Sequence, residues 1–181
     1  MAVSKKELVL SAMDRKEVER VPAGFWFHFL DDEIHANAYD DPSLEKKVLD
    51  GELRYTEESQ PDFVKIMTDG FFSYPNPVVQ QARTAAELAK VQPLPDDHPF
   101  FMRQITYAKE ITRRYGNEIA TFYNIFSAAT TVKFMQPGTI DESETFLTNL
   151  VREDKEAVKA AFAVISADIA KLARRIIEEA G

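Results

Sequence analysis

The residue best placed for chemistry is Asp69, which follows the apolar stretch of residues 63–67. That stretch predicts a short strand, so Asp69 stands at a strand's C-terminal end, where barrels of parallel strands build their active sites. A carboxylate accepts several N–H bonds and stabilises positive charge that develops in a reaction. The Asp69-Gly70 pair is also typical of a turn, in which the Asp side chain bonds nearby backbone. Both interpretations stay open at this stage.

His28 is the second candidate, near the end of the apolar and aromatic stretch of residues 21–30. An imidazole at that position can serve as an acid, a base or a ligand. The alternative is a half-buried ring that hydrogen-bonds to backbone. The other two histidines, His35 and His98, stand in polar stretches without metal-like partners. We therefore expect no metal site within these residues.

A third group of candidates follows the stretch of residues 118–125. Asn124 and Ser127 carry groups that can hydrogen-bond a substrate, and Tyr123 and Phe126 carry rings that can stack on a flat macrocycle. The alternative is that all four are ordinary strand-end and core residues.

The composition is that of one soluble globular domain, residues 1–181. Hydrophobic residues make up 45% of the chain, charged residues 29%, and the net charge is −8. No basic stripe is present, which argues against nucleic acid as a partner. No apolar run approaches the roughly 20 residues that cross a membrane, so we expect no membrane partner. The absence of cysteine and of a signal-peptide pattern favours the cytoplasm.

The elements that must position these residues alternate between strands and helices. Strands are predicted at residues 21–30, 63–67 and 118–125. Helices are predicted at residues 5–14, 42–58, 84–89, 100–115, 141–151 and 154–180. The last helix has the clearest pattern, because its apolar residues from Val158 to Ile176 recur every three or four positions. Alternating strands and helices predict parallel βαβ units with right-handed crossovers.

Four segments together resemble the uroporphyrinogen decarboxylase superfamily: residues 7–22, 62–69, 122–131 and the closing Ala180-Gly181. The resemblance implies an α/β fold, the N-terminal half of a (β/α)₈ TIM barrel with about three parallel strands and flanking helices. Because barrels of this kind need about 250 residues, we expect the other half to be missing. Half a barrel has an open edge and uncovered apolar faces. We therefore expect a homo-oligomer or association with the missing C-terminal half.

The function implied by the resemblance is that of a carboxy-lyase acting on a tetrapyrrole in porphyrin and heme biosynthesis. Asp69 then holds the pyrrole N–H groups and stabilises positive charge during decarboxylation, and no cofactor is needed in this half. The sequence departs from the family at Asp31, Asp32 and Glu33, where the family has arginines that bind substrate carboxylates. An acidic cluster repels a multi-carboxylate porphyrinogen. A Tyr that the family has after the third strand is also absent, with Val132 near that position.

Two other functions stay open. Relatives in the same superfamily are corrinoid- or cobalamin-dependent methyltransferases, and these use zinc ligands that lie mainly in the C-terminal half. Zinc or a corrinoid would then be the cofactor and a corrinoid the partner. The third possibility is a non-catalytic, truncated fragment.

Overall fold

The computed structural model describes residues 3–181, which form eight α-helices and two β-strands. In chain order they are α1 (Lys5–Met13), α2 (Pro42–Ser59), β1 (Phe63–Ile66), α3 (Pro77–Gln81), α4 (Ala85–Leu88), α5 (Pro99–Tyr115), β2 (Ala120–Tyr123), α6 (Ala128–Phe134), α7 (Ile140–Glu153) and α8 (Lys155–Ala180).

The helices begin at capping side chains that the sequence supplies. Capping boxes open α1 at Ser4, α4 at Thr84 and α7 at Thr139, each with a Glu three residues later. Asp154 ends α7 and also caps α8, where its carboxylate accepts bonds from two backbone N–H groups. The long helix α8 packs mainly against α5, and its buried residues Val158, Ile165 and Leu172 form part of the core. No helix within residues 3–181 has the length and apolar character needed to span a membrane.

The two strands pair in parallel, with Phe63 opposite Ala120 and Ile66 opposite Tyr123. One face of this sheet is covered: Val64 and Ile66 are each 1% exposed, and the Tyr123 hydroxyl donates to Gln104 of α5. Adjacent residues of a strand point to opposite faces. The other face is therefore formed by the residues that alternate with these.

We call that second side of the sheet the open face; it consists of Trp26, Phe63, Lys65 and Phe122. The rings of Phe63 and Phe122 meet edge to face, with their centroids 5.5 Å apart. The Lys65 ammonium lies 4.9 Å from the centroid of Trp26, and half of Trp26 is exposed. Phe63, Lys65 and Phe122 are only partly buried. Parallel sheets are usually covered by other elements on both faces, so this incomplete cover is unusual.

The predicted fold class is wrong. Residues 3–181 are 56% helical with only two parallel strands, so the fold is predominantly helical and not the N-terminal half of a TIM barrel with three strands. Residues 21–30, predicted as a buried strand, form no strand and are mostly exposed. They run beside β1 in the same direction. The backbone hydrogen bond between the two segments is the one from Asp62 N to Ala23 O, and farther along Phe29 N donates to the side chain of Asp69. A strand needs a repeated ladder of backbone bonds.

An ion pair fixes the start of this extended segment. Arg20 donates to both carboxylate oxygens of Asp62 at 2.5 and 2.6 Å, and Ala23 N donates to the same carboxylate. The Arg20 guanidinium, bonded to Asp62, lowers the pKa of that carboxyl to about 2. Farther along, a Cβ on Gly24 would lie 2.8 Å from the Phe63 carbonyl oxygen. Gly24 thus permits the segment's close approach to β1.

Candidate functional site

Asp69 lies three residues after β1 and is completely buried. One carboxylate oxygen is 2.9 Å from His28 Nδ1, and the other accepts from Phe29 N at 2.7 Å. The turn also exists, since Phe71 N donates to Thr68 O and Gly70 has a φ of +82°. The Asp69 side chain takes no part in that turn. Its bonds reach back about forty residues, and it holds the end of the extended segment against β1.

His28 is the exposed member of the His28–Asp69 pair, because 45% of its side chain is accessible whereas Asp69 is fully covered. In the neutral ring, the hydrogen bond to the carboxylate places the proton on Nδ1 and leaves the lone pair on Nε2. Nε2 lies 4.0 Å from Glu33 Oε1. The arrangement is therefore a buried carboxylate orienting an imidazole whose second nitrogen can exchange protons with a ligand or with solvent.

Phe72 borders His28 and packs against Phe126 and Phe134, and we call these three phenylalanines the aromatic wall. The ring centroids of Phe72 and His28 are 6.3 Å apart with the rings nearly perpendicular, and the centroid distances within the wall are 4.9, 5.5 and 5.1 Å. Phe72 is nearly buried. The wall gives His28 an apolar side on which a flat ligand can pack.

The other predicted site residues have different surroundings. Tyr123 bonds Gln104 on the covered face, and burial raises the pKa of its hydroxyl. Ser127 caps α6 by accepting from Thr130 N. Asn124 and Phe126 line a small cavity of about 30 Å³ together with Phe72. The structure thus brings Phe126, through Phe72, next to His28, while Tyr123 and Ser127 are engaged in the scaffold.

Glu52 is a residue that the sequence analysis missed. Its side chain is 2% exposed, and its carboxylate accepts from Met67 N at 3.2 Å, two residues before Asp69. Burial raises the pKa of Glu52 to about 7, with the Asp69 charge acting in the same direction. A signal was present, because Val48, Glu52 and Thr56 recur every four residues along the buried side of α2. A Glu in the middle of such a row is unusual, since Glu is almost never fully buried.

A larger cavity opens beside the aromatic wall. Its volume is about 540 Å³, and Ile34, Phe134 and Ile140 form its apolar lining. An ion pair between Lys133 and Glu144 and a hydrogen bond between His35 and Asp32 border it. The cavity has room for a small organic molecule.

The described part of the chain, residues 3–181, contains no group of three or more His, Asp or Glu side chains placed to hold a metal ion.

Comparison with known proteins gives no relative: no family model matches the chain, and neither a curated protein nor a solved structure does. The resemblance to the uroporphyrinogen decarboxylase superfamily gains no support from these comparisons. It stays a prediction drawn from the residues quoted above.

Proposed function

We propose that the chain carries a proton-transfer site of the carboxy-lyase class, in which His28 moves the proton and Asp69 positions His28. The observation that carries the proposal is the 2.9 Å contact between a fully buried carboxylate and Nδ1 of a half-exposed imidazole. Asp69 was predicted to touch the substrate directly. Both of its oxygens are already bonded to His28 and Phe29, so we assign it the positioning role.

The proton that replaces CO₂ on the substrate carbon comes from His28 Nε2. Decarboxylation breaks the bond between a substrate carbon and its carboxylate carbon and releases CO₂. The electron pair left on the substrate carbon takes the proton of the His28 imidazolium, and a C–H bond forms. Asp69 stabilises the imidazolium before the transfer. Because nearly half of the side chain is exposed, the neutral ring can recover a proton from solvent.

The substrate class follows from the resemblance and is constrained by the surroundings of His28. A tetrapyrrole offers flat pyrrole rings, and the aromatic wall offers a surface for them. Glu33 stands 4.0 Å from Nε2, with Asp31 and Asp32 beside it in sequence. These charges disfavour a substrate with many carboxylates near the reacting ring. We therefore propose a tetrapyrrole with few acidic side chains on that ring.

The test is a CO₂-release assay with two probes, uroporphyrinogen and a porphyrinogen that keeps a single acetate side chain, and the second should react faster. His28→Gln should lose about 100-fold to 10,000-fold in rate, as removal of a general acid does. His35→Gln is the matched control, because His35 also contacts an Asp carboxylate at 3.0 Å and is equally exposed, but its partner Asp32 is on the surface. Absence of CO₂ from the wild-type protein, or equal losses in both variants, would reject the proposal.

We also propose that a second copy of this chain covers the open face together with the exposed rings of Phe25 and Phe27, the sequence neighbours of Trp26. Phe25, Trp26 and Phe27 are 69%, 51% and 56% exposed. Since such side chains each bury about 150–250 Å², they leave on the order of 300–400 Å² of aromatic surface bare. A standard interface needs about 800 Å² per partner, so these rings provide a large share of one. A two-fold dimer uses the same patch from both copies.

Sedimentation at micromolar concentration tests this assembly. The wild type should be a dimer, and Trp26→Ser should weaken it. Ile177→Ser is the control, because Ile177 is an apolar residue of α8 that is 73% exposed, more than Trp26 is, and lies outside the sheet. A monodisperse wild-type monomer would contradict the proposed dimer.

A further inference from the structure

The cavity beside the aromatic wall has no role in the proposed function. Its volume of about 540 Å³ lies within the range of small-molecule sites in proteins. Its apolar lining comes from the turn that carries Ile34, from Phe134 of α6 and from Ile140 at the start of α7. Ile140 is 54% exposed, so a bound apolar group would cover surface that the fold leaves bare. Three elements thus enclose an apolar space that no other side chain fills.

The hydroxyl groups around the cavity are bonded within the protein. Ser143 Oγ donates to Thr139 O, and Thr139 Oγ1 belongs to the capping box of α7. Thr130 Oγ1 lies 3.1 Å from Ser127 Oγ. Because these hydroxyls already serve the scaffold, the charged groups of the lining decide which ligand fits.

Lys133 is the cation of the lining, on the last turn of α6. Its side chain is 22% exposed, and its ammonium donates to Glu144 Oε1 at 3.0 Å. An ammonium has more N–H donors than this one bond uses, and no second acceptor for Lys133 occurs within residues 3–181. Glu144 is 62% exposed, so solvent screens the pair and makes it weak. Lys133 can therefore exchange Glu144 for an anion inside the cavity.

Asp32 is the anion of the lining, and it is less available to a ligand. Both of its oxygens contact His35 Nδ1, at 3.0 and 3.1 Å, and its side chain is 67% exposed. Water and salt screen an exposed charge more than a partly buried one. The cavity therefore favours a negatively charged group at Lys133. The carboxylates of Asp32 and Glu144 nearby disfavour a ligand with several negative charges.

We propose that this cavity binds a small molecule with an apolar body and one carboxylate, such as an aliphatic or aromatic monocarboxylic acid. The carboxylate takes the place of Glu144 on Lys133, and the apolar body lies among Ile34, Phe134 and Ile140. The inference goes beyond the proposed function and does not rest on it, since no proton is transferred in this cavity.

The experiment is a titration of the full chain with octanoate, followed by the ¹³C-methyl NMR signals of Ile34 and Ile140. Octanol is the uncharged probe of the same chain length, and octylammonium is the cationic one. Wild type should bind octanoate saturably and in preference to octylammonium. Lys133→Met keeps the apolar stem and removes the charge. It should weaken octanoate binding about tenfold to hundredfold, as loss of a hydrogen bond to a charged group does, and leave octanol binding unchanged.

Two control variants separate this cavity from other sites. Lys159→Met removes a lysine that pairs with Glu156 at the same 3.0 Å on α8, outside the cavity. Trp26→Ser removes an exposed ring on which an octyl chain could also pack. Neither substitution should change octanoate binding.

Glu144→Gln sharpens the test, because it removes the acceptor that competes for Lys133 and should tighten octanoate binding severalfold. Three results would overturn the inference: methyl signals that do not shift saturably, a Lys133→Met variant that binds octanoate as wild type does, or a preference for octylammonium. If Lys133→Met does not fold, Glu144→Gln decides alone, and equal or weaker binding of octanoate to that variant contradicts the proposed site.

Discussion

Two buried aspartates with similar bonding serve different ends in this molecule. Asp168 of α8 is 1% exposed and accepts from the Tyr74 hydroxyl at 2.7 Å and from Leu94 N at 2.8 Å, with the Lys171 ammonium 3.6 Å away. Asp69 likewise accepts from one side chain and one backbone N–H. Burial and hydrogen-bond number alone do not distinguish the two.

The two aspartates differ in the exposure of the side chain to which each is hydrogen-bonded. Tyr74 is fully buried, and Lys171 also pairs with Asp96, so each polar group of the Asp168 cluster has a partner within the protein. The cluster connects α8 to the loops that carry Tyr74 and Leu94. The Asp69 bond ends instead at a half-exposed imidazole, with a second carboxyl, Glu52, behind it. A buried polar cluster that is complete stabilises a fold. A buried polar cluster that includes an accessible titratable group can exchange a proton with solvent or with a ligand.

The largest expected effect is on the satisfied cluster. Asp168→Ala leaves the Tyr74 hydroxyl, Leu94 N and Lys171 without their acceptor, and it should cost about 3–5 kcal/mol of unfolding free energy. Asp69→Ala should cost less, about 1–2 kcal/mol, because it also relieves the repulsion on Glu52. Urea denaturation measures both losses. A greater loss for Asp69→Ala would break the contrast between the two clusters.

The next effect is a pH dependence that only the Asp69 region should show. The folded pKa of Glu52, about 7, lies above its ordinary value of 4.5, so the folded state binds the extra proton between those values. Stability relative to Glu52→Gln is therefore highest below pH 4.5 and declines as the pH rises through 7, by about 3 kcal/mol in all. Urea denaturation of both proteins across this range gives the difference curve. A flat difference curve would show that folding does not raise the pKa of Glu52.

The last comparison is between two buried tyrosines, and one of them gives the smallest expected effect. Tyr74→Phe removes a hydrogen bond to a charged acceptor and should cost about 1.5–3 kcal/mol. Tyr107→Phe removes a buried hydroxyl that has no partner among the described residues, so it should be neutral or stabilise the fold by up to about 1 kcal/mol. Thermal unfolding of the two variants sharpens the comparison. Equal costs would mean that the Tyr107 hydroxyl is bonded after all.

Local signals in the sequence predicted most of the helices well. The predicted helix at residues 100–115 is α5 (Pro99–Tyr115), and that at residues 154–180 is α8 (Lys155–Ala180). Both carry a long apolar periodicity and clear end signals. The short helices α3 and α6 were missed, because five and seven residues are too few to show a period.

The sheet and the site depended on contacts that are distant in the chain. Residues 21–30 have the composition of a strand, yet a side chain, Asp69, takes the Phe29 N–H that a neighbouring strand would need. Asp69 and His28 were both named as candidates, but no spacing rule joins residues 41 positions apart. Glu52 belongs to a buried row of α2 that the sequence does indicate, but its bond to Met67 N joins residues 15 positions apart and follows no local pattern.

The most direct test of the central claim is the tautomer of His28, measured by long-range ¹H–¹⁵N NMR correlation of its ring at a pH where it is neutral. The buried Asp69 carboxylate should hold the proton on Nδ1 and leave Nε2 with its lone pair, and Asp69→Asn should abolish that preference. A neutral ring protonated mainly on Nε2 in the wild type would contradict the account, since Asp69 would then not be orienting the group that transfers the proton.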